Sequence, residues 1–459
     1  MNSKEEMAIK EVHDTNAQNQ TNNSTDKLSY EIFSILESKF LFGYTDPTKL
    51  LYLPKEPAPP PPQPQPLSLQ RGRVCILSID GNPSIHGGIM ASKALSYLEQ
   101  TLRLKSSNPQ ARISDYFDLV AGTGVGGVLS AMLFSSDNGS RPLFTADDTW
   151  RFLTSWWPKL LGQKTHNKRG GFFWQRNRTH DSTTKAMEAA MKQLFGENLT
   201  LKDTLKPVLI PCYDLQTSAP FVFSRADAIE SESYDFRLWE VGRATWAEPG
   251  RFEPEETRSI DGKTVCFGID GGLVMSNPAS VAITHVLHNK QEFPFVRGVE
   301  DILVISLGCG SGGGSELAGG DWRRWGQKDW AQPVARIAAD GAAEFVDHAV
   351  AMAFGQHRAA NYVRIQAYSA PSTSAYKMDP DCHLGSGSID PIALEETAEH
   401  MLKQKNVESV LFAGKRFADS TNKEILDKVA AELIQEHRTR HCRIAPTVVI
   451  KQSNCSDRS

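Results

Sequence analysis

Three glycine-rich segments hold the residues whose types and spacing could do chemistry. They are Asp80-Gly81-Asn82-Pro83-Ser84-Ile85-His86-Gly87-Gly88, Gly122-Thr123-Gly124-Val125-Gly126-Gly127 and Ile269-Asp270-Gly271-Gly272. A Gly-x-nucleophile-x-Gly turn between a strand and a helix lifts its central side chain above the sheet edge, and the flanking glycines let strand and helix approach closely. The central residue is forced into a strained backbone conformation. The helix that follows aims its first amides at the same spot, which favours negative charge there. In this chain Gly122, Gly126 and Gly127 supply the frame, and the centre is Gly124. Glycine meets the backbone requirement without steric cost, but it brings no hydroxyl or thiol. Taken alone, the same letters also spell a tight glycine turn.

Asp270 follows the short apolar stretch Val265-Cys266-Phe267-Gly268. A carboxylate at a strand end, beside two glycines, can lie in an open loop and take a nucleophile's proton as general base. An ordinary Asp-Gly turn would read the same way.

The elements that must position these residues follow from the apolar pattern. Val74–Ile79 reads as a buried strand ending at Asp80, residues 89–103 have helical spacing, and Tyr116–Ala121 reads as a second strand. Val128–Leu133 begins a helix after the glycine turn. Pro207–Pro211 and Asp301–Leu307 read as further strands, and 339–354 and 422–437 as helices. Strand, helix, strand, helix in this order predicts an α/β domain with a mainly parallel sheet.

Before this domain, residues 1–27 are polar and expected to be disordered. Residues 28–52 begin with a helix-spaced apolar set, Ile32, Phe33, Ile35, Leu36 and Phe40. Residues 53–69 form a proline-rich linker; the stretch 54–66 alone holds eight prolines and could also dock a proline-recognising partner. Residues 70–285 read as the core carrying the three segments, 286–450 as its continuation and 451–459 as a tail. The glycine-rich stretch 308–320 lacks the Gly-Lys-Ser/Thr of a phosphate loop and is expected to be mobile.

Composition narrows the function classes. The 459 residues are 40% hydrophobic and 23% charged, with net charge -4, which excludes a basic nucleic-acid binder at the level of the whole chain. Seven scattered cysteines without a CxxC pair argue against a disulfide framework or a zinc ribbon. No apolar leader or membrane-length run is evident. The expectation is a cytoplasmic protein, peripheral at membranes.

In order, the three segments resemble the motifs of the patatin-like lipid acyl hydrolases. VCILSIDGNPSIHGG matches the strand plus Asp-Gly-Gly-Gly-x-Arg-Gly, DYFDLVAGTGVGG the strand plus Gly-x-Ser-x-Gly, and GIDGGLVMSNPA the Asp-Gly-Gly. The text between them is similar to the plant class III patatin-related proteins, which carry glycine in place of the elbow serine. The resemblance runs from about residue 28 to 452, nearly the whole chain. It implies a three-layer α/β/α fold with a mainly parallel central sheet, hosting a serine-aspartate dyad that cleaves acyl esters of phospholipids and galactolipids without a cofactor. Asp270 then matches the general base and Gly124 the nucleophile position. Gly81, Gly87 and Gly88 are the oxyanion-hole candidates, although the first loop is longer than the family pattern and Pro83 has no N–H to donate. Ser84 is a candidate substitute nucleophile, and His86 for the missing basic residue. The implied function is lipid acyl hydrolysis; the alternative is a catalytically inactive lipid-binding or regulatory protein.

Lys159, Lys164, Lys168, Arg169, Arg176 and Arg178, interleaved with Phe172, Phe173 and Trp174 and free of acidic residues, suit a membrane surface. Given the resemblance, that reading outranks single-stranded nucleic acid. A solvated cationic loop has the same composition. His285 and His288 lack the carboxylates of a metal site, and no metal is expected. Trp322, Trp325 and Trp330 read as core or boundary residues.

Overall fold

The strand β1 (Val74–Ile79) is buried along its whole length, and its side chains divide between two separate apolar clusters. Cys75, Leu77 and Ile79 enter one cluster; Val74 and Ile76 enter the other. A strand that is apolar on both faces must lie inside a sheet covered on both sides. That requirement is the origin of the three layers in this computed structural model, which describes residues 72–81, 85–160, 172–308, 322–366, 391–410, 414–441 and 448–450.

The parallel heart of the sheet places β2 (Leu119–Gly122) and β3 (Val208–Asp214) on one side of β1. On its other side lie β7 (Ile302–Leu307) and β8 (Tyr362–Ile365). Beyond β3 the pairing turns antiparallel, with β4 (Ala219–Ser224), β5 (Glu255–Arg258) and β6 (Val265–Ile269). Ile79 pairs with both Gly122 and Leu307, so the carboxyl ends of three adjacent strands lie level. A hairpin, β9 (Lys405–Val410) with β10 (Gly414–Thr421), forms a separate small sheet.

The first cluster packs one face with α1 (Ile85–Ser106), α2 (Val125–Phe134), α3 (Ala146–Leu160), α4 (Phe172–Phe195) and α5 (Leu238–Thr245). The later α8 (Pro391–Lys403) and α9 (Asn422–His441) join them. The opposite face is covered by α6 (Ala279–His288) and the end of α7 (Gln327–Phe354). The α/β domain expected from the strand–helix order, with the three layers that the resemblance implies, is therefore present.

Several boundaries differ from the sequence reading. Tyr116 ends a short helix, Ile113–Tyr116, in place of starting a strand, because the Asp115 carboxylate accepts the Arg112 N–H at 2.8 Å and closes a helical turn. The helix expected from residue 89 starts at Ile85, and α2 starts directly after Gly124. The helix expected at 339–354 reaches back to Gln327 despite Pro333 within it. Trp322 stands half-exposed, and Trp325 packs edge-on against Trp330 at 5.0 Å, so these are boundary residues and not core. Residues 1–71, 309–321 and 451–459 lie outside the described residues, and with them the expected tail, amphipathic segment, proline linker and glycine-rich stretch.

One buried ion pair joins the carboxyl end of β1 to the distant β8. The Arg364 guanidinium reaches Asp80 through Nη1–Oδ1 at 2.9 Å and Nη2–Oδ2 at 2.5 Å, and donates to Ser306 Oγ at 2.6 Å. Burial works against this charge, but Asp80 beside it holds the guanidinium above the ordinary arginine range. The Arg364 carbonyl accepts from Asn406 Nδ2 at 2.7 Å, which ties in the start of the hairpin. Removing one member of a buried pair strands the other charge. Arg364→Met is expected to cost roughly 3–5 kcal/mol, read as a lowered urea midpoint with an unchanged slope; a change within about 0.5 kcal/mol would contradict the assignment.

Candidate active site

At the level carboxyl ends of β1 and β2 the backbone turns so tightly that side chains have no room. A Cβ on Gly122 would fall on the Gly126 carbonyl and Ser130 Oγ, and one on Gly126 would fall on the Ile79 carbonyl. Gly127 is buried against Ile210 and Thr245, where a Cβ would sit 3.0 Å from each side chain. The glycines flanking the turn thus permit the close approach of strand and helix.

Gly124 is the N-cap of α2, with φ 55° and ψ -129°. This left-handed conformation is the strained one that an elbow imposes on its central residue. Space for a side chain does exist there. A Cβ on Gly124 would lie 3.2 Å from Asp270 Oδ1, 3.4 Å from Gly81 Cα and 3.9 Å from the Thr245 carbonyl. The structure therefore brings the two sequence-predicted catalytic positions, 146 residues apart in the chain, into direct apposition.

Asp270 closes β6 and starts a short helical turn, Gly271–Leu273, its Oδ1 accepting the Gly272 N–H at 2.8 Å. Its carboxyl is buried, and burial pushes its pKa up to about 7. The Gly272 hydrogen bond opposes that rise and the charge of Glu248 adds to it. A carboxylate with a pKa near neutrality is suited to accepting a proton in the reaction and returning it.

The oxyanion candidates separate into two kinds. The Gly81 N–H already donates to the Ser276 carbonyl at 3.1 Å. Gly87 is the third residue of α1, where an amide has no intrahelical acceptor, and Gly88 is the fourth, whose amide closes the first helical turn. A Cβ on Gly88 would lie 2.8 Å from Val125 Cγ2, so this turn lies against the start of α2. Asn82, Pro83 and Ser84 lie outside the described residues, as does the His86 side chain.

Two threonines complete the site: Thr123, the hydroxyl next to the centre of the glycine turn, and Thr245, which nothing in the sequence marks. Thr245 Oγ1 accepts the Gly124 N–H at 2.9 Å and donates to the Pro211 carbonyl at 2.7 Å, pinning the elbow to β3. Thr123 is fully buried; its hydroxyl lies where a Cβ on Gly271 would approach within 2.6 Å, and it has no hydrogen-bond partner among the described residues. No motif marks Thr245, which is 121 residues from the amide it holds.

Among the membrane-contact candidates, Lys159 lies in the last turn of α3, and Phe172, Phe173, Trp174, Arg176 and Arg178 lie in the first turns of α4. Lys164, Lys168 and Arg169 lie outside the described residues. His285 packs edge-on against Phe293 and sits 3.5 Å from Glu292, and no cluster of metal-ligating groups occurs among the described residues. No helix among them is long and apolar enough to cross a membrane.

Residues 85–283 match the family model described as patatin-like phospholipase. The chain is 54% identical over 448 residues to patatin-like protein 6 of Arabidopsis thaliana, covering 94% of this chain and 88% of that protein. Patatin-like protein 3 of Oryza sativa is 42% identical, with 91% and 92% covered. Probable inactive patatin-like protein 9 of Arabidopsis thaliana is 43% identical, with 78% and 86% covered.

The raised pKa makes a stability prediction. Between the unfolded value of 3.8 and the folded value of about 7, the folded state binds the Asp270 proton more tightly, so ionisation removes stability as pH rises through this window. Asp270→Asn is expected to raise the thermal midpoint at pH 8, with the gain shrinking to nothing near pH 3.5. A gain independent of pH would show that Asp270 does not titrate in this range.

Proposed function

The chain belongs to the patatin-like phospholipase family, and from that premise we propose that it is a lipid acyl hydrolase in which Asp270 acts on water in the absence of a nucleophilic side chain. The observation that carries this reading is the 3.2 Å separation between a side-chain position at Gly124 and Asp270 Oδ1. The substrates are the acyl esters of phospholipids and galactolipids. Water beside Gly124 gives its proton to Asp270, and the resulting hydroxide adds to the acyl carbonyl. Collapse breaks the ester C–O bond, and the proton passes to the departing alkoxide, leaving a fatty acid and a lysolipid. The first-turn amide of α1 at Gly87 is the donor available for the negative oxygen.

The rate should be low. Loss of the serine in a serine protease costs about 10⁶ in kcat, and roughly 10³–10⁴ over water survives from binding and oriented dipoles. A second reading, a non-catalytic acyl-lipid binder or regulator, is favoured by the engagement of the Gly81 amide with Ser276. Under both readings the basic and aromatic stretch from Lys159 to Arg178 is the membrane contact.

Gly124→Ser is expected to raise hydrolysis of a medium-chain p-nitrophenyl ester by at least about 10²-fold, since it restores a nucleophile beside a base already in place. Asp270→Asn in that background should remove the gain. No gain in a folded variant would place a second lesion in the 80–88 loop. Neutralising Lys159, Lys164, Lys168, Arg169, Arg176 and Arg178 should abolish co-sedimentation with anionic phosphatidylglycerol vesicles; undiminished binding would exclude this stretch as the contact.

A further inference from the structure

The helix α7 is apolar on two opposite faces, and the sheet covers one of them. Val350, Ala351 and Phe354 are buried in the second apolar cluster. Away from the sheet, Trp330, Val334, Ile337, Phe345 and Met352 are exposed, Phe345 to 71% and Met352 to 67%. At about 3.6 residues per turn these five fall in one narrow stripe, opposite the buried set. A bare apolar stripe that runs most of the length of a helix marks an interaction surface.

The spacing of the stripe is regular. Trp330, Val334, Ile337 and Gly341 step by four, three and four residues, and Gly341, Phe345, His348 and Met352 repeat those steps. A period of 11 residues is close to that of the helix itself, so the stripe runs nearly straight for roughly 33 Å. The steps also read the same in both directions from Gly341. An isologous contact requires this property, because the surface must match itself after a half-turn.

We propose that the stripe is the contact between two copies of this chain, with the α7 helices antiparallel and the two-fold axis at Gly341. Ile337 of one copy then faces Phe345 of the other, Val334 faces His348 and Trp330 faces Met352. At the axis a Cβ on Gly341 would meet nothing within 4 Å. Exposed Ala338 and Ala342 stand beside it, so the two backbones can close to about the 8 Å of tightly packed helices. The antiparallel arrangement also opposes the two helix dipoles. The five exposed side chains offer on the order of 500 Å² per copy, so the pair reaches the roughly 1,000 Å² at which a specific interface begins. Charge selects a protein partner over a bilayer. The helix carries Asp329, Asp340, Glu344 and Asp347 against Lys328 and Arg336, whereas helices that lie on membranes are rich in cations.

Sedimentation equilibrium of the full chain tests the proposal, with a dimer of micromolar dissociation constant expected. Phe345→Glu puts a charge in the stripe at a side chain that is exposed in the single chain. It should weaken the dimer at least about tenfold and leave the far-ultraviolet circular dichroism unchanged. Gly341→Cys tests the register. Across the axis the two introduced thiols come within disulfide reach, and diamide should oxidise them to a bond between chains that peptide mapping places at position 341. Ala353→Cys, far from the axis, should not link. A monomer at about 100 µM, a dimer indifferent to Phe345→Glu, or a dimer that fails to link at position 341 would overturn the proposal. So would a monomer whose binding to phosphatidylglycerol vesicles is abolished by Phe345→Glu, since the stripe would then belong to a lipid surface.

Discussion

Everything at the candidate site depends on a backbone contact that tolerates no side chain. Gly122 and Gly126 bring the end of β2, the first turn of α2 and the end of β1 into van der Waals contact, with carbonyl oxygens where any Cβ would have to go. Because Ile79 pairs with Gly122 and Leu307 at one level, that contact stands on a rigid three-strand edge. The turn is then held from outside by Thr245, which ties the Gly124 amide to β3. The Asp80–Arg364 pair anchors the neighbouring loop to β8. A conformation as unfavourable as φ 55° for an ordinary residue persists only where the surroundings over-determine it.

This frame does not require a nucleophilic side chain at its centre. Glycine occupies the left-handed conformation freely, so Gly124 avoids the strain that a serine would carry there, with the strand, helix and facing carboxylate in place. Asp270 keeps the burial that suits it to proton transfer near neutral pH. The fold and the chemistry are therefore separable here: Gly124 satisfies the backbone of a packed elbow without supplying a reacting group.

Much of this was legible in the amino-acid order, for identifiable reasons. β1 is a continuous apolar run, the elbow is a glycine frame between a strand and a helix, and Asp270 ends an apolar stretch beside two glycines. Local patterns with a mechanical cause can be read locally. The strands β4, β5 and β8 were not read, because Glu255–Arg258 is charged at every position but one and Tyr362–Ile365 carries an arginine in a short segment. Arg364 and Thr245 escaped for a different reason. Their importance lies in partners 284 and 121 residues away, and no spacing rule reports such pairs.

The central claim is that position 124 is a nucleophile site complete except for its nucleophile. Intact-mass spectrometry after exposure to an alkyl fluorophosphonate measures this most directly, because phosphonylation marks an activated hydroxyl whether or not turnover follows. The account predicts one adduct per chain in Gly124→Ser, mapped to position 124 and lost in the double variant with Asp270→Asn, and none in the parent chain. An unlabelled, folded Gly124→Ser protein, or an adduct on the parent chain, would contradict it.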